Sequence, residues 1–244
     1  MFLSIITPTF NSEKSIQKHI DSLNIQKKIF EQIIIDKFSE DKTIELIKKR
    51  AKYPLRIIQE IDNGIYDAMN KGILNATGEY LLFLNSDDWL PEKTIEIVFE
   101  KILNNPNYDI YYGNSNYFKN DDKIFTQKSN IKNIFKKNSV SHQTMYYSKK
   151  IFIDNKFDTS FTVAADYDLS IKLVKKKYNF FYINKILSNN LTGGYSSNLL
   201  KSFDDFMKIQ KKNNGFLGFF NTIIEYKFKL LIIFYKKIYA KISS

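Results

Sequence analysis

The chain has 244 residues, no cysteine, two histidines (His19 and His142) and 37 Lys+Arg against 26 Asp+Glu, a formal charge of +11. That length holds one large α/β domain plus a terminal appendage. Without cysteine there are no disulfides, thiolate nucleophiles or cysteine-ligated metal centres, and two histidines argue against a multi-histidine metal site.

The N-terminal segment MFLSIITPTF lacks a basic n-region and a small-residue cleavage site. It reads as a strand over Phe2 to Ile6, with Thr7-Pro8-Thr9 as a turn that proline forces out of the sheet. Asn11 or Ser12 is expected to cap a helix whose apolar positions Ile16, Ile20 and Leu23 recur at helical spacing. Ile33 to Ile35 is a buried strand closed by Asp36, and a helix from about Asp41 turns Ile44 and Ile47 inward. Leu55 to Gln59 is the third strand. Asp62-Asn63-Gly64 forms a turn before a helix from Tyr66 to Leu74, and Thr77-Gly78 breaks it ahead of the strand Tyr80 to Leu84. Strands and helices alternating at this pitch imply right-handed crossovers and a mainly parallel, Rossmann-like sheet.

That strand stops at Asn85-Ser86-Asp87-Asp88, so two adjacent carboxylates stand at the C-terminal edge of the sheet, where open α/β sheets bind ligands. Held side by side they repel, and a divalent cation is the simplest compensator. A blander reading makes them the acidic start of the next helix, with Pro91 in its first turn. No GxGxxG and no GxxxxGK[ST] is present, so neither a dinucleotide fingerprint nor a P-loop holds phosphates.

Beyond a helix from Glu92 to Leu103 the pattern is more β-like. Asp109 to Tyr112, a hairpin around Asn120-Asp121-Asp122 and Gln143 to Tyr147 predict a mixed sheet in the second half. Thr162 to Ala165 leads into Asp166-Tyr167-Asp168 and a helix carrying Leu169, Leu173 and Val174. Thr192 to Ser197 reads as a loop able to act as a lid. The first domain is placed at 1–198. Residues 199–244 form a basic helical tail, with nine lysines against three acids from Lys201 onward. Within it, Phe216 to Tyr239 is expected as an amphipathic helix on an anionic membrane surface, with packing on the domain as the alternative. No stretch reaches about eighteen uninterrupted apolar residues, so no membrane-spanning helix is expected.

IITPTFN, Asp36, DNGIYDAMNKGI with ATGEYLLFLNSDD, and AADYDL, in that order from Ile5 to about Leu169, resemble the family 2 glycosyltransferases, inverting enzymes of the GT-A fold. The resemblance implies that Thr7, Pro8 and Thr9 line the base pocket and that Asp36 accepts from the base, as from a uracil N3–H. It implies Asp87 on the ribose and Asp88 on a Mg2+ or Mn2+ ion bridging the diphosphate. Asp62 and Asn70 lie in the same matched words as donor-site residues. Asp166 matches the acidic position of the base that deprotonates the acceptor, with Asp168 as runner-up or a first-turn acid. His142 orients an acceptor, completes the metal shell or is structural. Tyr66 and Trp89 are sugar-stacking or core aromatics, and Lys71 is a diphosphate or a solvated lysine.

The implied function is metal-dependent transfer of one sugar from a nucleotide sugar, UDP-linked by preference, to a saccharide or lipid-linked acceptor in surface polysaccharide or lipopolysaccharide synthesis. The catalytic face would be cytoplasmic, at the inner surface of the membrane. The QxxRW word of processive members is absent. A polyprenyl-phosphate sugar synthase is the rival in the same fold, and a basic membrane or nucleic-acid adaptor the rival outside it. Nucleic acid is not expected as a partner, because the charge concentrates in the tail rather than among aromatics on a sheet.

Overall fold

The computed structural model describes residues 1–193 and 202–213. In chain order the elements are β1 (Leu3–Thr9), α1 (Ile16–Asn24), β2 (Phe30–Asp36), α2 (Thr43–Arg50), β3 (Leu55–Gln59), α3 (Ile65–Asn75), β4 (Tyr80–Phe83), α4 (Thr94–Asn104), β5 (Ile110–Lys119), β6 (Asp122–Gln127), β7 (Met145–Ser148), α5 (Ala165–Lys175) and β8 (Phe180–Leu191). A helix α6 over 202–213 follows. Among the described residues the eight strands share one sheet in the order β3-β2-β1-β4-β7-β5-β6, with β8 also paired to β5. β1, β2, β3 and β4 run parallel, whereas β7 is antiparallel to both β4 and β5. The expected α/β sheet, parallel first and mixed later, is the one observed.

Every residue of β1 and β2 is buried, as apolar runs covered on both faces require. Alternation sorts their side chains. Ile6, Ile33, Ile35, Leu81 and Phe83 pack with Met69 and Ile73 of α3 and Leu169 and Leu173 of α5. Leu3, Ile5, Leu82 and Leu84 pack on the other side with Leu23, Ile95 and Val98, and Ile34 packs with Ile16, Ile20 and Ile47. The period-2 and period-3.6 patterns therefore specify which faces meet.

Four expectations need correction. Thr7-Pro8-Thr9 is not a turn outside the sheet but the end of β1, with Pro8 opposite Ile35 and Thr9 opposite Asp36. Ile6 accepts from Leu84 N on the β4 side and Thr9 accepts from Lys37 N on the β2 side. Residues of a parallel strand alternate in this way, so the N–H that proline lacks would point toward β4, where pairing ends at Ile6 and Phe83. Proline closes the β4 ladder and leaves the β2 ladder intact.

Neither Asn11 nor Ser12 caps α1 through its side chain; the Ser12 carbonyl accepts from Ser15 N and Ile16 N instead. α4 starts at Thr94 rather than Glu92, behind Lys93 in the left-handed region, so Asp87 and Asp88 are not its first-turn acids. His142–Thr144 is a 3₁₀ turn, and β7 begins only at Met145. β8 was not foreseen, because its twelve residues, FFYINKILSNNL, mix polar and apolar positions without a clean alternation.

α6 packs on the domain. Ile209 is fully buried in the same core as α3 and α5, and Asp205 Oδ2 accepts from Thr162 N and Val163 N at 2.7 Å each. The segment Phe216 to Tyr239 and most of the expected lid lie outside the described residues. Among the described residues no helix is long and apolar enough to cross a membrane.

Candidate active site

β1 and β4 are adjacent strands whose connections leave in opposite directions, the switch point at which an open α/β sheet forms a crevice. Proline at position 8 widens it by ending the β1–β4 ladder. The resulting cleft, about 660 Å³, is lined by Pro8, Thr9, Asp62, Asp87, Asp88, His142 and Asp166 among others.

Asp88 is buried and fully engaged. Its Oδ1 accepts from Leu191 N at 2.9 Å and its Oδ2 from Gln143 Nε2 at 2.7 Å. Its backbone carbonyl accepts from His19 Nδ1–H at 2.9 Å, and His19 Nε2 in turn accepts from Gln32 Nε2 at 2.7 Å. Burial drives the His19 imidazole down to about 4, against the opposing pull of the Asp88 and Asn85 carbonyls, so this ring is a neutral strut beneath the carboxylate pair.

Burial raises the Asp87 carboxyl, and burial together with the Asp87 charge raises Asp88 well above the carboxylate range. The hydrogen bonds from Gln143 and Leu191 do not offset this. A divalent cation fits the residues present, because it would remove the repulsion and meet hard oxygen donors. Three buried acceptor atoms without partners, Asn85 Oδ1, Asn190 Oδ1 and His142 Nε2, also belong to residues lining the cleft. Buried polar atoms left unpaired are costly, and these three cluster in residues around one cleft.

Asp166, also in the cleft lining, sits in the first turn of α5. Its Oδ1 accepts from the Tyr66 hydroxyl at 2.9 Å and its Oδ2 from His142 Nδ1–H at 2.8 Å. Burial alone would raise this carboxyl; the His142 ring, the Tyr66 hydroxyl and the Tyr167 amide outweigh it and hold Asp166 below the usual range. Asp205 of α6 fixes the preceding loop through Thr162 and Val163.

Residues 4–186, three quarters of the chain, match the profile of Glycosyl transferase family 2. The chain belongs to that family. This glycosyltransferase is 30% identical over 175 residues to the PGL/p-HBAD biosynthesis glycosyltransferase of Mycobacterium bovis (strain BCG / Pasteur 1173P2), covering 69% of this chain and 68% of that one. Its fold is similar to that of S. aureus TarS 1-349 in complex with UDP-GlcNAc, with a TM-score of 0.70, 22% identity and coverage of 86% of this chain and 66% of that one. It is also similar to the mannosyltransferase PcManGT of Pyrobaculum calidifontis in complex with GDP-Man and Mn2+, with a TM-score of 0.65, 16% identity and coverage of 86% and 63%. The chain thus spans slightly less than two thirds of each of those structures.

Not every expected residue of the glycosyltransferase faces the cleft. Thr7 turns inward, where its hydroxyl accepts from Gln32 Nε2 at 3.0 Å. Asp36 is fully buried, its oxygens accepting from Ser39 N, Ser39 Oγ and Gln59 Nε2. Asn70 clasps the Phe157 backbone through two bonds of 2.9 and 3.0 Å. None of the three lines the cleft, whereas Asp62 does, with Oδ1 accepting from Gly64 N at 2.9 Å and Lys37 Nζ 3.7 Å away. Gly64 has a φ of 117°, a backbone that an L side chain rarely adopts, so this turn depends on glycine.

Asp168 is paired with Lys212 at 3.0 Å and lies off the cleft. Lys71 donates to the Ile61 carbonyl and is 3.6 Å from Asp67. Trp89 meets Phe118 in a tilted ring contact beneath Lys18, also outside the cleft. Residue patterns gave no sign of His19, Gln143 or Leu191, because each acts through contacts 55 or more residues away in sequence.

Proposed function

We propose that this glycosyltransferase moves a single sugar, with inversion, from a UDP-sugar to a saccharide or lipid-linked acceptor in cell-surface glycan assembly. The observation that carries the reading is the Asp87-Asp88 pair at the β1–β4 switch point, Asp87 half-buried and Asp88 buried, in one cleft with Asp166 and His142. Support for a nucleotide-diphosphate sugar comes from the UDP-GlcNAc and GDP-Man bound by the two structurally similar proteins, and for a surface glycolipid or polysaccharide from the mycobacterial relative's name.

In this reading Asp88 holds a Mg2+ or Mn2+ ion, aimed by Gln143, Leu191 and the His19 strut. When bound, that ion would neutralise the diphosphate and help it leave. Pro8, Thr9 and Asp62 form the nucleotide side of the cleft, with Thr7, Asp36 and Asn70 supporting it from behind. Asp87 contacts the ribose. The acceptor hydroxyl enters near Asp166, which, held by Tyr66 and His142, removes its proton as it attacks the anomeric carbon.

A thermal-shift panel of UDP-, GDP- and TDP-sugars with Mn2+ tests the reading, because a bound donor stabilises the native state by mass action. The expected result is a metal-dependent rise with a UDP-sugar; no rise with any of them sinks it. We place the protein on the inner face of the cytoplasmic membrane through the lysine-rich segment Phe216 to Tyr239. Truncation after Asn214 should abolish co-sedimentation with anionic liposomes, and undiminished co-sedimentation would remove that placement.

A further inference from the structure

We infer that the acceptor is a neutral saccharide whose terminal ring sits on the Tyr117–Phe125 pair of the β5–β6 hairpin. The inference rests on the transfer reaction proposed above and narrows its acceptor.

Strand order separates two ends of the site. β1, which carries Pro8 and Thr9, flanks β4 on one side, and β7, β5 and β6 follow on the other. β5 and β6 stand two and three strand spacings beyond β4, roughly 10 and 14 Å. β7 is antiparallel to both β4 and β5, so β5 runs in the same direction as β4. Tyr117, near the C-terminal end of β5, therefore reaches the sheet edge that carries Asp87 and Asp88. Tyr117, Gln127 and Asn138 line the cleft.

Tyr117 and Phe125 are register partners, and their rings stack with centroids 4.6 Å apart and planes 10° from parallel. Ser115 pairs with Gln127 two residues along both strands, so Gln127 shares the face of the two rings. The Tyr117 hydroxyl donates to Gln127 Oε1 at 2.9 Å, which fixes the tyrosine ring and leaves the Gln127 Nε2 to donate to a ligand. Phe125 is 48% exposed. A flat aromatic surface bordered by side-chain amides suits a pyranose, whose ring C–H groups form an apolar, weakly positive face while its hydroxyls project at the rim.

Charge separates a sugar from a phosphate as acceptor. Lys37 is the only lysine or arginine among the described residues that line the cleft, and it lies 3.7 Å from Asp62. Lys119, Lys123 and Lys128, on or beside the hairpin, are outside the lining. A polyprenyl phosphate would bring its negative charge toward Asp87, Asp88 and Asp166 with no such cation at the hairpin end to balance it. A sugar hydroxyl needs none.

Saturation-transfer NMR on the full chain, with UDP and Mn2+ present, tests the subsite with a panel of methyl glycosides, which carry no aromatic group of their own. Ring C–H protons of at least one glycoside should be saturated. Phe125→Leu, which keeps apolar bulk without an aromatic face, should remove most of that signal. In transfer from UDP-GlcNAc the same variant should raise the KM for that glycoside roughly tenfold while UDP affinity stays within about threefold, and Phe125→Tyr should restore the parental KM. Farnesyl phosphate should not serve as acceptor.

No saturation of any glycoside by the parent overturns the inference. So does equal saturation in Phe125→Leu, or turnover with farnesyl phosphate in place of the glycosides. A Phe125→Leu variant that changes only in sedimenting more slowly also overturns it, because Phe125 would then meet a second copy of the chain. A parent that binds no UDP-sugar would instead refute the transfer reaction itself, and saturation of a glycoside without UDP would still decide the subsite.

Discussion

At the N-terminal end of the parallel strands, Glu31 Oε1 accepts from Ser4 Oγ at 2.6 Å, Thr77 N at 2.7 Å and Thr77 Oγ1 at 2.6 Å, and Ser4 Oγ accepts from Gly78 N at 2.8 Å. At the C-terminal end of the same strands, Asp87 and Asp88 stand side by side among acceptor atoms that have no donor. Burial tends to raise Glu31, but the hydroxyls of Ser4 and Thr77, the Thr77 amide and the Arg56 charge hold it below its usual range. At the other end burial wins and both aspartates are raised. At one edge the donors within the fold outweigh burial; at the other the two donors to Asp88, Gln143 Nε2 and Leu191 N, do not outweigh burial and the neighbouring Asp87 charge. A carboxylate satisfied internally stabilises the fold; one left for a cation stabilises a complex.

Substitutions at the two ends should therefore fall into different assays, and the largest effect is expected at Asp88. Asp88→Ala should weaken UDP binding in the presence of Mn2+ by roughly a hundredfold or more, about 2.7 kcal/mol, and Asp87→Ala by less. Calorimetric titration measures both, and unchanged affinity in the Asp88 variant would remove its metal role. Its melting temperature should not fall in step, because a repelling charge leaves with it.

Gly78→Ala should do the reverse. A Cβ there would lie 2.5 Å from Ser4 N and 2.7 Å from the Leu3 carbonyl carbon, so backbone must move. A loss of about 1–3 kcal/mol is expected in urea unfolding. UDP affinity of the folded fraction should hold, and a stability equal to the parent's would contradict the clamp.

Glu31→Gln keeps an acceptor oxygen and loses the charge assistance, which predicts a loss of about 1–2 kcal/mol near neutral pH. The sign with pH follows from the depressed carboxyl. Its contribution is fully present above the ordinary glutamate value of 4.5 and is lost as pH falls through the folded value. Parent and variant stabilities should converge as the buffer is taken below that point; a constant gap would mean that the charge is not what the clamp uses. The smallest effect belongs to Arg56→Ala, which removes a half-exposed pair 3.8 Å from Glu31, worth about 0–1 kcal/mol and reduced by salt.

By itself the sequence determined the α/β class, the strand–helix alternation through β4, the faces that pack and the carboxylate pair at a strand end. Each is a local signal: a periodicity, an apolar run, a Gly-containing turn or a family word. It also brought Asp166 and His142 to attention as separate residues. Only the tertiary structure decided that they are one unit, that Pro8 ends a ladder rather than a strand, and that Gln143 and Leu191 aim Asp88. It also sent Thr7, Asp36 and Asn70 behind the cleft wall and drew β8 into the sheet beside β5. The reason is physical: a hydrogen bond between His142 and Asp166, or between Leu191 and Asp88, spans 24 or 103 residues. No local spacing rule encodes such a contact; it exists only once the strands have paired and the helices have packed upon them.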